Sequence, residues 1–346
     1  GNQGKGEEGK DWQNYANFWV DLNGDGVKQD NEFTNMIIGY KGIIYDFGVL
    51  LENNGFNKIF DGQGFTLKNI NIDTTRLTNK SDYIGIFGSA GNATFKNINI
   101  NYMGGGIQKN RGYIHSYAYI GGFVGYSETS TFENMALANI GNITGNIDGN
   151  RPYGISTGGF AGYAKGTFTN ITLNNIGDID IIADDGNSNI GGFAGVAEGT
   201  FNNISLSDIV KISSNTGYQG AESSVGGFAG RTKGTFTNIS LTNIGNLESR
   251  GGNYGNPYGN SFAGGFVGES WSSNFNNISL NNIGNIKAYG DWGGHAGGFA
   301  GAVGYPYRAS FSNIFIYFNP NITFNSWHNY IGKLFGRLFL EHNAFL

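Results

Sequence analysis

The stretch DLNGDGVKQDNE, residues 21–32, carries oxygen-bearing side chains at alternating positions. Its order of residue types matches a twelve-residue calcium loop, in which hard oxygen donors wrap one cation and a central glycine permits a sharp turn. Gly26 occupies the glycine position. The sequence therefore predicts a structural calcium ion held by Asp21, Asn23, Asp25, the Val27 carbonyl, Gln29 and Glu32.

The segments that would position this loop are not typical of an EF-hand. The preceding YANFWV is too short and too branched for a convincing helix. An Asx-rich surface turn between the strands FWV and FTNMII explains the same residues without a metal. In either case residues 1–60 are predicted to form an N-terminal cap, which a bound calcium ion would stabilise rather than switch.

The rest of the chain is dominated by an internal repeat built around a GGFxG box. The glycine that closes the box recurs at steps of 37, 37, 33, 35, 38, 33 and 35 residues. Its positions are Gly88, Gly125, Gly162, Gly195, Gly230, Gly268, Gly301 and Gly336. A fixed period of this length indicates a solenoid, in which each unit packs against its neighbours.

Within each unit, the TFxN box is followed at rigid spacing by apolar residues that alternate with Ser or Thr, as a strand requires. Phe168 and Ile171 lie an odd number of residues apart, so a bend between them is needed to bury both. The asparagine at that bend tolerates left-handed backbone. We therefore predict a stacked asparagine ladder at one corner: Asn97, Asn134, Asn170, Asn203, Asn238, Asn277 and Asn313.

The predicted fold is all-β, a right-handed parallel β-helix with about eight repeats of about 35 residues over residues 61–346. This period fits one three-faced rung with a projecting loop or nearly two short rungs. Length variation confined to one segment favours the single rung, with that segment as a surface loop. The apolar ending LFGRLFLEHNAFL suggests truncation, because an open solenoid end normally carries a polar cap.

Composition excludes several classes of function. The formal net charge of −5 is spread thinly without clustered cations, so nucleic acid is not an expected partner. The absence of cysteine excludes a disulfide scaffold and a thiolate zinc site. We expect no transmembrane segment in this stretch, because no apolar run reaches the length that a membrane helix needs. The polar first residues contain no signal-peptide core.

The repeat resembles a known class of surface protein. GIFG followed by TFKNINI, and GGFVG followed by TFENMAL, look like the GLUG-type repeat of bacterial surface proteins. The fuller GGFAG–TFNNISL–NIG order is similar to passenger-domain repeats of vacuolating-cytotoxin-like autotransporters. The resemblance spans roughly residues 59–340. It implies secretion, display on the bacterial cell surface, and a role in adhesion, colonisation or virulence, with a host protein or glycan as partner and no catalytic residues.

The variable segments supply the candidate binding residues, because Tyr and Trp present rigid amphipathic surface at low entropic cost. Packing of each aromatic ring over its own rung is the alternative. The candidates are Arg111, Tyr113, His115, Tyr117, Tyr153, Tyr218, Tyr254, Tyr258, Tyr289 and Trp292.

A carbohydrate-active β-helix, either a polysaccharide lyase or a hydrolase, is the alternative function. Such an enzyme needs paired carboxylates as acid and base. The candidate pairs, Asp178 with Asp180 and Asp184 with Asp185, fall in one variable segment. No distant partner stands out for them, and a solvated loop is the favoured interpretation. The four histidines are scattered without ligand spacing, so each is interpreted as structural or solvated.

Overall fold

The computed structural model describes most of the repeat array and short parts of the N-terminal region. The described residues are 17–19, 33–35, 38, 45–46, 49–50, 55–74, 82–113, 117–148, 154–183, 186–217, 220–252, 259–290, 293–304, 309–319, 321–326 and 330–338. Every regular element in this part of the chain is a β-strand.

Four short strands precede the array: β1 (Asn17–Trp19), β2 (Phe33–Asn35), β3 (Tyr45–Asp46) and β4 (Val49–Leu50). β1 pairs antiparallel with β2, and β3 with β4. Trp19 lies opposite Phe33. The calcium-type motif thus joins two antiparallel strands, while its own residues 21–32 lie outside the described residues.

Twenty-five further strands form the array. They are β5 (Ile59–Asp61), β6 (Thr66–Lys68), β7 (Ile72–Asp73), β8 (Tyr83–Ile84), β9 (Phe87–Gly91), β10 (Thr94–Asn101), β11 (Ile107–Tyr113), β12 (Ala118–Gly121), β13 (Val124–Ile140), β14 (Ile143–Asp148), β15 (Ile155–Gly158), β16 (Ala161–Ala183), β17 (Ser188–Gly191), β18 (Ala194–Thr216), β19 (Ser223–Gly226), β20 (Ala229–Gly251), β21 (Asn260–Gly264), β22 (Val267–Ile283), β23 (Ile286–Gly290), β24 (Gly293–Gly297), β25 (Ala300–Val303), β26 (Ser310–Phe318), β27 (Phe324–Ser326), β28 (Tyr330–Gly332) and β29 (Phe335–Leu338).

These strands form two parallel sheets that together enclose each rung. The smaller sheet stacks eight short strands, β8, β12, β15, β17, β19, β21, β24 and β28, in chain order. The larger sheet joins the other strands of the array and wraps around the remaining sides. Backbone groups of each rung therefore pair with the rungs on either side of it, as a solenoid requires.

Neighbouring rungs pair at a separation of one repeat. The TFxN phenylalanines lie opposite one another at steps of 37, 36, 33, 35, 39 and 36 residues, through Phe95, Phe132, Phe168, Phe201, Phe236, Phe275 and Phe311. The variable segment follows the same register, with Ser188 opposite Ser223. Each repeat is therefore a single rung, and the predicted all-β parallel β-helix is confirmed, with about seven turns of about 36 residues.

Long strands such as β16 pass round two corners of the rung. Phe168 and Ile171 are both buried although three residues separate them, because Asn170 has a positive φ of 55°. Asn175 has a φ of 56° and makes a second corner. Left-handed backbone at one residue reverses the inward–outward alternation of the strand, so each straight side faces the core correctly.

The GGFxG box makes the tight turn between the smaller and the larger sheet. A β-carbon on Gly158 would lie 2.4 Å from the Cα of Ala194 in the next rung. One on Gly162 would lie 2.5 Å from the backbone nitrogen of Ile120. The box requires glycine because the backbones approach too closely for any side chain.

Two columns of phenylalanine fill the core. One is the TFxN column; the other is formed by the box residues Phe87, Phe123, Phe160, Phe193, Phe228, Phe266 and Phe299. Within a column the rings stack, as for Phe168 and Phe201 at 4.7 Å and 2°. Between columns they meet edge to face, as for Phe168 and Phe193 at 5.9 Å and 89°. Both arrangements satisfy the ring quadrupole.

Two sequence interpretations need correction. The variable segment, interpreted as a surface loop, is mostly strand: Ile179, Ile181 and Ala183 on β16 are buried. The alternation of apolar and polar residues in this segment is short, and the residues that follow it vary in number between repeats, so the strand was not recognised in the sequence. The boundary placed between residues 60 and 61 falls inside β5, which pairs in parallel with β10. The first rung therefore includes residues assigned to the cap.

Candidate functional site

The variable stretches of the repeat lie before the strands of the smaller sheet, and the residues that enter those strands stack. This column contains Tyr117, Gly154, Asn187, Glu222 and Asn260. The Ile155 amide donates to the Asn187 carbonyl at 2.8 Å, and the Ser188 amide donates to the Glu222 carbonyl at 2.9 Å. One long edge of the solenoid therefore carries the end of every such stretch.

The structure describes the side chains of two of the ten predicted binding residues. Tyr117 lies on this edge and is 49% exposed. Tyr289 lies on the larger sheet instead, where the Arg250 guanidinium sits 4.6 Å from its ring centre. Arg111 and Tyr113 belong to β11, but only their backbone is described. The others lie outside the described residues: His115, Tyr153, Tyr218, Tyr254, Tyr258 and Trp292.

Tyr117 belongs to a cluster of five tyrosines that we call the tyrosine patch: Tyr83, Tyr117, Tyr119, Tyr126 and Tyr163. Tyr119, on the smaller sheet, lies 5.1 Å from Tyr126 on the larger sheet, measured between ring centres. Tyr126 stacks on Tyr163 of the next rung at 5.2 Å and 20°. The turn made by the GGFxG box brings the two sheets side by side, so residues far apart in sequence form one aromatic surface.

A row of alternating charges borders the patch. This charge ladder consists of Glu128, Lys165, Glu198 and Lys233. The Tyr163 hydroxyl donates to Glu198 at 2.7 Å, and the Tyr126 hydroxyl donates to Glu128 at 3.4 Å. The Lys165 ammonium lies 3.2 Å from the Glu128 carboxylate, and the Lys233 ammonium lies 3.4 Å from the Glu198 carboxylate. The phenol hydroxyls of Tyr126 and Tyr163 and the carboxylates bound to them therefore lie along one border of the tyrosine patch.

Burial and charge set the ionisation of these groups. Burial, followed by the nearby Glu128 carboxylate, raises the pKa of Tyr126 to about 12. Burial also raises the pKa of Tyr119 and Tyr163. Burial of Glu198 disfavours its charge, but the Tyr163 hydroxyl and the ammonium groups of Lys233 and Lys165 hold its pKa below the usual value. At neutral pH the phenols are donors and Glu198 is an acceptor.

No protein-family model, curated protein or solved structure matches the chain. The candidate site therefore rests on the geometry of this chain alone. Within the described ranges, no helix is long and apolar enough to span a membrane. The same ranges contain no group of three or more acidic or histidine side chains placed to hold a metal ion.

The tyrosine patch departs from the repeat that surrounds it. Tyr119 belongs to a register position of the smaller sheet that we call the mixed column: Tyr83, Tyr119, Ser156, Asn189, Ser224, Phe262, His295 and Tyr330. Unlike the phenylalanine columns, this position changes chemistry from rung to rung. Sequence periodicity did not predict it, because nothing repeats.

Two further features lie along the same side of the solenoid. Arg231 bridges Glu222 and Glu269, with nitrogen–oxygen distances of 2.8 Å to each, and its guanidinium lies 4.9 Å from the Trp271 ring centre. The guanidinium thus forms one ion pair with each of two carboxylates. The second feature is His295, which is fully buried in the mixed column.

His295 is enclosed by aromatic rings. It stacks on Phe262 at 5.1 Å and contacts Tyr330 at 4.6 Å, measured between ring centres. Among the described residues, neither ring nitrogen has a hydrogen-bond partner. Burial, with a smaller contribution from the Arg337 charge, lowers the pKa of His295 to about 4. The ring is therefore neutral at physiological pH and acts as a core side chain.

The seven asparagines of the predicted ladder all have positive φ, between 54° and 56°. Asn134, Asn170 and Asn203 each donate to the ladder residue one rung before, at 3.3, 2.9 and 2.7 Å. The chain of amides is interrupted where Asn238 donates to Asn202 and Asn313 donates to Asn276.

The second corner carries a similar ladder that sequence reasoning missed. It contains Asn139, Asn175, Asp208, Asn243 and Asn282, all with positive φ. Asn175 donates to Asn139 at 2.8 Å, and Asn282 donates to Asn243 at 2.9 Å. The signal was present, since Leu173 and Ile176 are also an odd number of residues apart.

The carboxylates proposed for catalysis lie on a strand rather than in a loop. Asp178 and Asp180 share the outward side of β16, and Asp180 accepts a hydrogen bond from Ser213 of the next rung. Asp184 and Asp185 lie outside the described residues. The described pair is two residues apart on the outward side of one strand.

Proposed function

We propose that the chain is a non-enzymatic binding module of a bacterial cell-surface protein, an adhesin or colonisation factor with a β-helical stalk. The observation that supports it is the arrangement of one long edge. That edge carries the ends of the variable stretches, and the tyrosine patch lies beside it. Solenoids bind through extended surfaces of this kind, and tyrosine is well suited to recognition.

The regular interior supports a stalk, because the phenylalanine columns and asparagine ladders bind each rung only to its neighbours. Variation falls at the edge, in the mixed column and at the larger-sheet position of Tyr163, where later rungs carry Val196, Arg231 and Glu269. An autotransporter-like passenger exposed outside the cell, where a host protein or glycan is the partner, fits this division. The resemblance of the repeat to such passengers points the same way.

Attachment to host cells tests this function. The purified full chain, labelled at its N-terminal amine, should bind cultured epithelial cells saturably and be displaced by unlabelled chain. A chain that releases reducing ends from host polysaccharides would instead support the carbohydrate-active alternative. Absence of saturable attachment would contradict the adhesin.

We further propose that residues 21–32 hold calcium and stabilise the N-terminal region. The support is the order of oxygen donors in the sequence and the antiparallel strands that flank them. Thermal unfolding of the full chain should occur at a higher temperature with calcium than with chelator, because a ligand bound to the folded state stabilises it. An unchanged midpoint would remove the metal from the proposal.

A further inference from the structure

We infer that the tyrosine patch binds a neutral, hydroxyl-rich glycan, with the sugar faces on its rings and the sugar hydroxyls at the charge ladder. This inference rests on the proposed binding function and names the ligand class of the same surface.

The repeat itself supplies the first argument, because it shows which side chains the fold needs. At the register position of Tyr119, the next three rungs carry Ser156, Asn189 and Ser224, all buried. At the position of Tyr163, the next rung carries Val196. The rungs pair in the same register with these smaller residues, so the fold does not require aromatic rings at the positions of Tyr119 and Tyr163.

The shape of the patch supplies the second argument. Tyr83 is only 6% exposed, so the accessible rings are those of Tyr117, Tyr119, Tyr126 and Tyr163. Tyr117, Tyr119 and Tyr126 follow one another at 6.3 and 5.1 Å between ring centres, and Tyr163 lies 5.2 Å from Tyr126 on the next rung. Rings at such spacings extend over roughly 10 Å. This surface is long enough for two pyranose rings laid end to end, and the apolar C–H face of a sugar packs on aromatic rings.

The rim supplies the third argument, because it selects against charge. The charge ladder alternates Glu128, Lys165, Glu198 and Lys233 and has no net charge. A sulfated or sialylated ligand would meet repulsion from each carboxylate as well as attraction from each ammonium group. Sugar hydroxyls, which both donate and accept, can pair with the carboxylates, ammonium groups and phenols alike.

The test measures binding of the full chain to immobilised lacto-N-neotetraose and to its sialylated form. The variant combines Tyr119→Ser with Tyr163→Val, because the next rungs already carry those residues at the same positions. Tyr317→Ser is the matched control, since Tyr317 is 65% exposed on β26 of the larger sheet. Thermal unfolding of each protein verifies that it is folded.

We expect the full chain to prefer the neutral glycan. The double variant should lose about tenfold in affinity, as expected for the loss of ring-stacking contacts, while Tyr317→Ser retains binding. Unchanged binding by the double variant, or a preference for the sialylated form, would overturn the inference.

Failure of the inference is distinguishable from failure of the proposed function. A chain that binds neither glycan yet attaches saturably to cells would contradict the ligand class and leave the adhesin standing. A chain that binds neither glycan nor cells would overturn both.

Discussion

The TFxN phenylalanine column and the mixed column run through the same rungs but follow opposite rules. The phenylalanine column repeats one side chain from Phe95 to Phe311, stacked in the core. The mixed column changes between aromatic, hydroxyl, amide and imidazole groups while its backbone register stays fixed. In this solenoid, identical residues stabilise the stack, and variation is tolerated where the position lies outside the phenylalanine core.

The largest expected effect comes from interrupting the phenylalanine column. Phe201 is fully buried, with Phe168 at 4.7 Å and Phe236 at 4.9 Å between ring centres. Phe201→Ala should lower the free energy of unfolding by about 3–5 kcal/mol, because it leaves a cavity that neighbouring rungs cannot fill. Denaturant unfolding measures it, and Phe201→Leu is the matched control with a smaller loss. Equal losses for the two variants would contradict a role for cavity volume.

A pH-dependent effect should appear at the far end of the mixed column. His295 has a pKa of about 4 in the folded state, against about 6.5 when unfolded. The unfolded chain therefore takes up a proton first. The contribution of neutral His295 to the free energy of unfolding is complete above about pH 6.5 and is lost as the pH falls towards 4. The loss amounts to roughly 3 kcal/mol. His295→Phe should flatten this part of the stability curve. If the variant kept the wild-type slope, the dependence would belong to other groups.

A smaller effect is expected at the corner ladder. Asn170 has a φ of 55°, donates to Asn134 and accepts from Asn203. Asn170→Ala should cost about 2 kcal/mol, because alanine is strained in left-handed backbone and both amide bonds are lost. Asn170→Gly relieves the strain alone and should cost less. Chemical unfolding of both variants separates the two contributions, and a glycine variant as unstable as the alanine variant would rule out backbone strain.

The smallest loss of stability should come from the tyrosine patch. Tyr119→Ser replaces a partly exposed ring by the residue found at the same position one rung on. We expect a cost of about 1 kcal/mol, well below that of Phe201→Ala. Thermal unfolding provides the comparison. A loss as large as that of Phe201→Ala would mean that the patch belongs to the core, and the contrast between the two columns would disappear.

The sequence was sufficient to predict the fold because the fold is itself periodic. The spacing of Phe168, Asn170 and Ile171 recurs in every central rung, and one odd interval is enough to require a corner. The second corner at Asn175 carries the same signal. The strands of the variable segment were missed because Ile179 and Ile181 alternate over too few residues, next to stretches of changing length.

The tyrosine patch was beyond sequence reasoning for a different reason. Tyr83, Tyr119, Tyr126 and Tyr163 come from two sheets and three rungs. Their meeting depends on the turn at the GGFxG box, which recurs, but the tyrosines on either side of it do not recur in the next rungs. Tyr117 was predicted because its variable segment is rich in aromatic residues. Its neighbours in the tyrosine patch are apparent only from the way the two sheets lie side by side.

The fixed register has a consequence for how genes of this type can evolve. Excision of residues 202–236 would join Phe201 directly to Thr237. Phe201 is the counterpart of Phe236 one turn earlier, so the new junction would be the same as the existing one between Phe236 and Thr237. Gain or loss of whole units by recombination between near-identical copies would thus shorten or extend the molecule in increments of about 4.8 Å. The length of the solenoid becomes a quantity that copy number can adjust.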